Sequence, residues 1–340
     1  MMQKFRSNYL FLFYWPLLLL VSYESPKAPR ENEAQFPQLI GPYLGQTPPG
    51  KIPEVFAPDI ISAEKSESYC AVTPEGNEIF FVEVVTKNSQ GFATILSTRL
   101  VNGFWTKPEI APFSGTYCDA YIAIHPNGSR LYFQSNRPID PRESTFEWNI
   151  WYVDKTDDRW GEPKSIGKPI NGRASTSGPS VTMTGTMYFT EMANDGANEI
   201  YRSELLDGLY QEPERLSAKV NSGRQQFDSY VAPDESFLIF GAYRRPDSHG
   251  ETDLYISFRD ETGSWSESIN MGSSINSSGN EGTATITFDK KYVFYSKYNN
   301  EAKGMDIYWF SAEFIDELRP QKPPALGASG PFLPSAKGGL

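Results

Sequence analysis

Four acidic residues recur at fixed distances from a repeated turn. Glu67, Asp119 and Glu281 stand seven residues before Pro74, Pro126 and Phe288, and Asp228 stands five before Pro233. The same two offsets elsewhere carry Thr176 and Gln226, and Tyr69, Tyr121, Gly178 and Thr283. Carboxyls gathered by a repeat suit two chemistries. A close pair can act as acid and as base or nucleophile in cleaving a glycosidic bond. A ring of oxygens can hold a hard cation such as Ca²⁺. The third reading is a hydrated acidic funnel whose carboxylates accept hydrogen bonds from nearby backbone N–H groups. We adopt the non-catalytic reading, with no cofactor and no metal. Hydrolase or lyase chemistry by Glu67, Asp119, Asp228 and Glu281 stands as the alternative, as does a structural Ca²⁺.

Other catalytic signatures are missing. The chain has no H-E-x-x-H, G-x-S-x-G, P-loop or paired C-x-x-C motif. Its two histidines, His125 and His249, are far apart and read as turn and loop residues. The segment Asn194 to Glu199, NDGANE, lacks the spacing of a calcium loop and reads as an Asp-Gly turn. Cys70 and Cys118 could pair after export, or serve as small core residues. Asn149, Glu199, Asp253 and Asp306 open corresponding strands and are expected to cap the turn before them. Arg137, Arg244 and Arg245 lie near these and are expected to bridge to them, or to recognise an acidic group of a ligand. Phe146 and Trp148, in the long loop IDPRESTFEWN, are expected either as a binding patch or, for Trp148, as core. The ligand-binding candidates are Tyr69, Tyr121, Arg137, Trp148 and Arg245.

What must position these residues is a repeat. The turns VTPEGNEIFF, IHPNGSRLYF, VTMTGTMYF, VAPDESFLIF and ITFDKKYVFY place Pro74, Pro126, Met183, Pro233 and Phe288 at spacings of 52, 57, 50 and 55 residues. After each hairpin comes a short strand: TILST, NIWYV, EIYRS, DLYIS and DIYWF. In four copies an aromatic residue (Trp105, Trp160, Tyr210, Trp265) then leads into another strand. Four short strands per unit of about 50 residues mark a propeller blade. Neighbouring blades must cover each other's faces, so Ile79, Phe81, Leu131 and Phe133 are expected between blades. The fifth unit lacks its last strand, and GKIPEVFAPDIIS at 50–62 resembles WTKPEIAPFSG. The expected fold is therefore an all-β, five-bladed β-propeller of four-stranded antiparallel blades, its N-terminal strand closing the last blade and leaving no free edge.

The x-x-P-[DEN]-[GE]-x-x-[LI]-x-F hairpin, SNRP at 135–138, YRRP at 243–246 and the DLY and DIY strands resemble the WD40-like repeats of TolB-type propellers. The resemblance covers roughly residues 50–320; Met183 and Phe288 depart from it. It implies a binding or assembly platform in a Gram-negative cell envelope, with a protein or glycan partner.

Composition agrees. Aromatics make up 14% of 340 residues and Gly and Pro number 27 and 26, as strands and turns require. A net charge of −11 argues against nucleic acid. Lys4 and Arg6 before the apolar run Tyr9 to Val21 read as a signal peptide, or as an anchor if uncleaved. The expected organisation is a signal segment at 1–23, a Pro-rich linker at 24–49, the propeller at 50–318 and a disordered tail at 319–340. The protein is expected to be exported, periplasmic or envelope-bound, and monomeric.

Overall fold

The computed structural model describes residues 36–320 except 64, 88–89, 141, 143–146, 173, 194 and 300–303; side chains of 86, 87, 90 and 299 are also left undescribed. The signal segment, the start of the linker, residues 321–340 of the tail, Phe146 and Asn194 lie outside the described residues.

Five antiparallel sheets follow one another along the chain. Their innermost strands are Ser66–Val72, Asp119–Ile124, Ser175–Val181, Gln226–Val231 and Glu281–Ile286. Each inner strand packs against the next, and the fifth returns to the first, so the ring is closed. The last blade is completed from the front of the chain. Glu54–Val55 pairs antiparallel with Gly304–Ser311, Val55 opposite Tyr308, and Phe56 N–H donates to Ile307 C=O at 2.8 Å. The expected five-bladed, all-β architecture and its closure are thus the observed ones.

The core is not one mass but five separate clusters, one per blade interface. The second strands explain why. Ile79 and Phe81 enter the interface with blade 5, while Phe80 and Val82 enter the interface with blade 2. Leu131 and Phe133 face blade 1, while Tyr132 faces blade 3. Strands covered on both faces need apolar residues at consecutive positions, so the expected alternation is only half the pattern.

The aromatics before the outer strands also reach across blades rather than merely packing their own. Trp160 meets Phe80 edge to face at 5.7 Å, and Trp265 meets Tyr188 at 6.1 Å. Burying such a ring contributes about 2–3 kcal/mol. Blade 5 lacks this residue; the short helix Glu313–Leu318 sends Ile315 into its interface with blade 4 instead. Part of the stretch read as linker also packs: Leu44 is buried, and Trp105 Nε1 donates to Gly41 C=O at 2.7 Å. Cys70 and Cys118 are free thiols in different interfaces, on opposite faces of blade 1.

Candidate functional site

Every inner strand carries the same irregularity. Its pairing slips once, between Ser68 and Cys70, Ala120 and Ala123, Ser177 and Ser180, Phe227 and Tyr230, and Gly282 and Thr285. Within each slip one residue is left-handed: Tyr69 (φ 50°), Tyr121 (58°), Gly178 (56°), Asp228 (57°) and Thr283 (58°). Bulges of this kind re-aim a side chain at some cost in strain. Here the five bulges form one layer across the axis, and these are the residues five before each turn.

The layer divides the axis into two cavities. One, of about 50 Å³, lies among residues that follow the bulges, such as Ala71, Ala123, Ser180, Tyr230 and Thr285. The other, of about 610 Å³, lies among residues that precede them, such as Ser68, Ala120, Ser177, Phe227 and Gly282. Tyr69 and Asp228 line both. The larger space is of ordinary ligand-pocket size.

Its walls are uneven. Tyr69 and Tyr121 stand against each other, centroids 4.3 Å apart and tilted 53°, with Trp148 and Phe227 also lining the space. Asp228 lodges against two glycines. A Cβ on Gly178 would lie 3.2 Å from Asp228 Cα, and one on Gly282 3.7 Å from Asp228 Oδ2. Burial pushes the Asp228 carboxyl up to about 8, opposed only by a hydrogen bond from Tyr121. Burial, followed by the nearness of Asp228, raises the Tyr121 hydroxyl well above its usual range. Glu281 is also raised, chiefly by burial; Ser277 Oγ donates to its Oε1. Among the described residues, four buried polar atoms with no hydrogen-bond partner belong to side chains lining this cavity: Tyr69 Oη, Gln134 Oε1, Asp228 Oδ1 and Glu281 Oε2.

The four acids thus divide. Asp228 and Glu281 line the cavity; Glu67 and Asp119 are not among its lining residues. Asp119 receives Arg137 at 3.0 Å and Ser114 Oγ at 2.8 Å. Glu67 accepts Ala63 N–H at 3.4 Å, and burial pushes it up to about 7. At the same position Thr176 donates to Asn171 Oδ1, while Gln226 accepts from Gly223 N–H and Glu281 from Ser277 Oγ. The position seven before the turn therefore ties each inner strand to the loop entering its blade. Among the described residues, no three His, Cys, Asp or Glu side chains are grouped to hold a metal ion.

Of the five ligand-binding candidates, Tyr69, Tyr121 and Trp148 share the cavity. Arg137 sits elsewhere, on Asp119 and Phe113 C=O. Arg245 donates to Ser268 Oγ and Val220 C=O. Contrary to the expected bridges, Arg137 and Arg244 pair with Asp119 and Glu251 rather than with the third-strand residues. Asp253 does cap its turn, accepting His249 and Gly250 N–H at 2.7 and 3.0 Å, whereas Glu199 pairs with Arg215. Gln134 and Phe227 also line the cavity, and the repeat alone does not single them out. Their signal in the chain is adjacency to the repeat positions, since Gln134 pairs with Ala120 and Phe227 precedes Asp228.

No protein-family model matches the chain, and no curated protein matches it. Solved structures similar to it include TolB from Acinetobacter baumannii, with 16% identity and a TM-score of 0.47 over 74% of this chain; the chain spans 55% of that structure's length. An exo-1,5-alpha-L-arabinanase from a bovine ruminal metagenomic library shares 11% identity, with a TM-score of 0.47, over 74% of this chain and 93% of the other. The catalytic domain of the Coprinopsis cinerea GH62 alpha-L-arabinofuranosidase shares 9% identity, with a TM-score of 0.47, over 77% and 97%. The strand pairing and the divided axis define the class: a closed five-bladed β-propeller with an axial pocket.

Proposed function

We propose that the protein is an exported, non-catalytic binding propeller that takes a group of a cell-envelope protein or glycan into its axial cavity. The observation that carries this reading is one aromatic-walled cavity on the axis, four of whose lining side chains hold a buried polar atom without a partner. Leaving such atoms unpaired costs about 1–3 kcal/mol each, which a ligand's hydrogen bonds would offset. Export is supported by the basic and apolar N-terminal sequence.

Glycoside hydrolysis is the second reading, favoured by two carboxyls lining one cavity. That chemistry needs one carboxyl protonated and the other ionised. Burial moves both Asp228 and Glu281 toward the protonated form, which suits binding better.

The test is a glycan array and a pull-down from envelope extract, with wild type and Trp148→Ala. Binding should weaken roughly tenfold in the variant, since stacking on a ring is worth about 1 kcal/mol or more. Unaltered binding would place the site elsewhere. Release of reducing ends from oligosaccharides, lost in Asp228→Asn/Glu281→Gln, would establish the hydrolase instead.

A further inference from the structure

We infer that the axial cavity recognises a protonated amine, carried by a small organic molecule or by a lysine side chain of a protein partner. The inference rests on the reading that this cavity is the binding site.

Three of the four unpartnered atoms are oxygens that accept: Asp228 Oδ1, Glu281 Oε2 and Gln134 Oε1. A ligand that meets the carboxyls in their ionised form must therefore bring donors. Among the described lining residues none is Lys, Arg or His, so none of these neutralises the two carboxyls. Lys297 faces Glu281 across the strands, but its ammonium lies 5.7 Å over the Tyr308 ring, and Lys297 is not part of the lining. The Tyr69–Tyr121 pair adds ring faces, which attract cations.

Three occupants can be compared. A metal ion is best held by several grouped charged ligands, and no three His, Cys, Asp or Glu are grouped among the described residues. A neutral polyol would bond to the protonated carboxyls that burial favours, but would leave them without a counter-charge once ionised. A primary ammonium supplies three donors and the charge together. It would also give Asp228 and Glu281, which are desolvated, the counter-charge that Arg137 gives Asp119.

Binding an ammonium favours ionised carboxyls, so it should release protons and strengthen as pH rises. The titratable groups facing the pair are Tyr121 for Asp228, and Lys297, Asp253 and Tyr295 for Glu281. Tyr69 shares the wall with both carboxyls.

The experiment is calorimetric titration of the full chain with phenethylamine, its uncharged isostere 2-phenylethanol, and Nα-acetyl-lysine methylamide. At least one amine should bind roughly tenfold or more tightly than the alcohol, and Asp228→Asn should abolish that preference. Affinity should rise about tenfold or more from about pH 6 to about pH 8.5, while the amine stays charged. The tighter of the two amines identifies the free or the lysine-borne source. Equal binding of amine and alcohol would overturn the inference yet leave the cavity as a binding site. No binding by either amine would overturn it too, and the Trp148→Ala result then decides whether the cavity reading survives. Should Asp228→Asn fail to fold, Glu281→Gln and the wild-type amine–alcohol comparison decide the question in the same way.

Discussion

Asp228 is a carboxyl held against backbone, between Gly178 and Gly282, with one oxygen facing Tyr121 and the other unpartnered. Its raised value of about 8 has a consequence for stability. The folded state holds this proton more tightly than the unfolded state, where an Asp titrates near 4. The group therefore stabilises the fold fully below about pH 4 and loses that contribution as pH rises to about 8. Asp228→Asn should melt higher than wild type at pH 8, and the gap should shrink on acidification by up to about 1.4 kcal/mol per pH unit. Thermal unfolding of both proteins between pH 5 and 8 checks this; parallel curves would show that Asp228 is ionised throughout. The two cysteines give a second prediction. Because Cys70 and Cys118 lie in different interfaces, a reducing agent should leave the melting temperature unchanged.

At the scale of the element, one device recurs in all five blades. Ser62, Ser114, Asn171, Asn221 and Asn276 stand twelve residues before the five turn positions. Each holds the third strand of the preceding sheet. Asn171, Asn221 and Asn276 accept from Ile150, Ile200 and Leu254 N–H and donate back to the same residue's C=O. Ser62 does both at Ile307, and Ser114 accepts from Ile95 N–H. Asn221→Ala would strand the Ile200 N–H, while Ile200 C=O keeps Leu216 N–H and Leu216 C=O keeps Arg215, at an expected cost of about 1–3 kcal/mol. Asn221→Ser should cost less, since serine serves at two of the five places; chemical denaturation ranks the pair. The bulge layer makes a second prediction. Gly178 is left-handed and has Asp228 Cα where a side chain would begin. Gly178→Val should destabilise by about 2 kcal/mol or more and displace Asp228, weakening ligand binding as well.

At the scale of the molecule, closure is the feature on which the ring depends. Residues 54–57 add the last strand to blade 5 and bury Phe56 against Phe294 and Trp309 at 4.8 and 5.1 Å. Deleting residues 1–57 would remove that ring and expose the edge of Gly304–Ser311. The expected result is a loss of at least about 3 kcal/mol and self-association on gel filtration. A peptide of residues 50–62 should restore the monomer. An unchanged melting temperature would mean that the five blades hold without the closing strand.

The sequence by itself determined the blade count, the four-stranded unit and the closing strand. These follow from local signals that a repeat multiplies: a turn residue, an apolar run and an aromatic at a constant spacing. It also put Asp228, Tyr69 and Tyr121 at one level of the axis, because equivalent positions in a ring share a height. It could not say which way each side chain turns there. Glu67 and Glu281 occupy the same place in the repeat, yet Glu281 lines the cavity and Glu67 does not. The two also differ in what they bond, since Glu67 accepts the Ala63 N–H and Glu281 the Ser277 hydroxyl. Likewise Arg137 and Arg245 are occupied within their own blades, while Gln134 borders the pocket. Period fixes height around a propeller; only tertiary packing fixes direction.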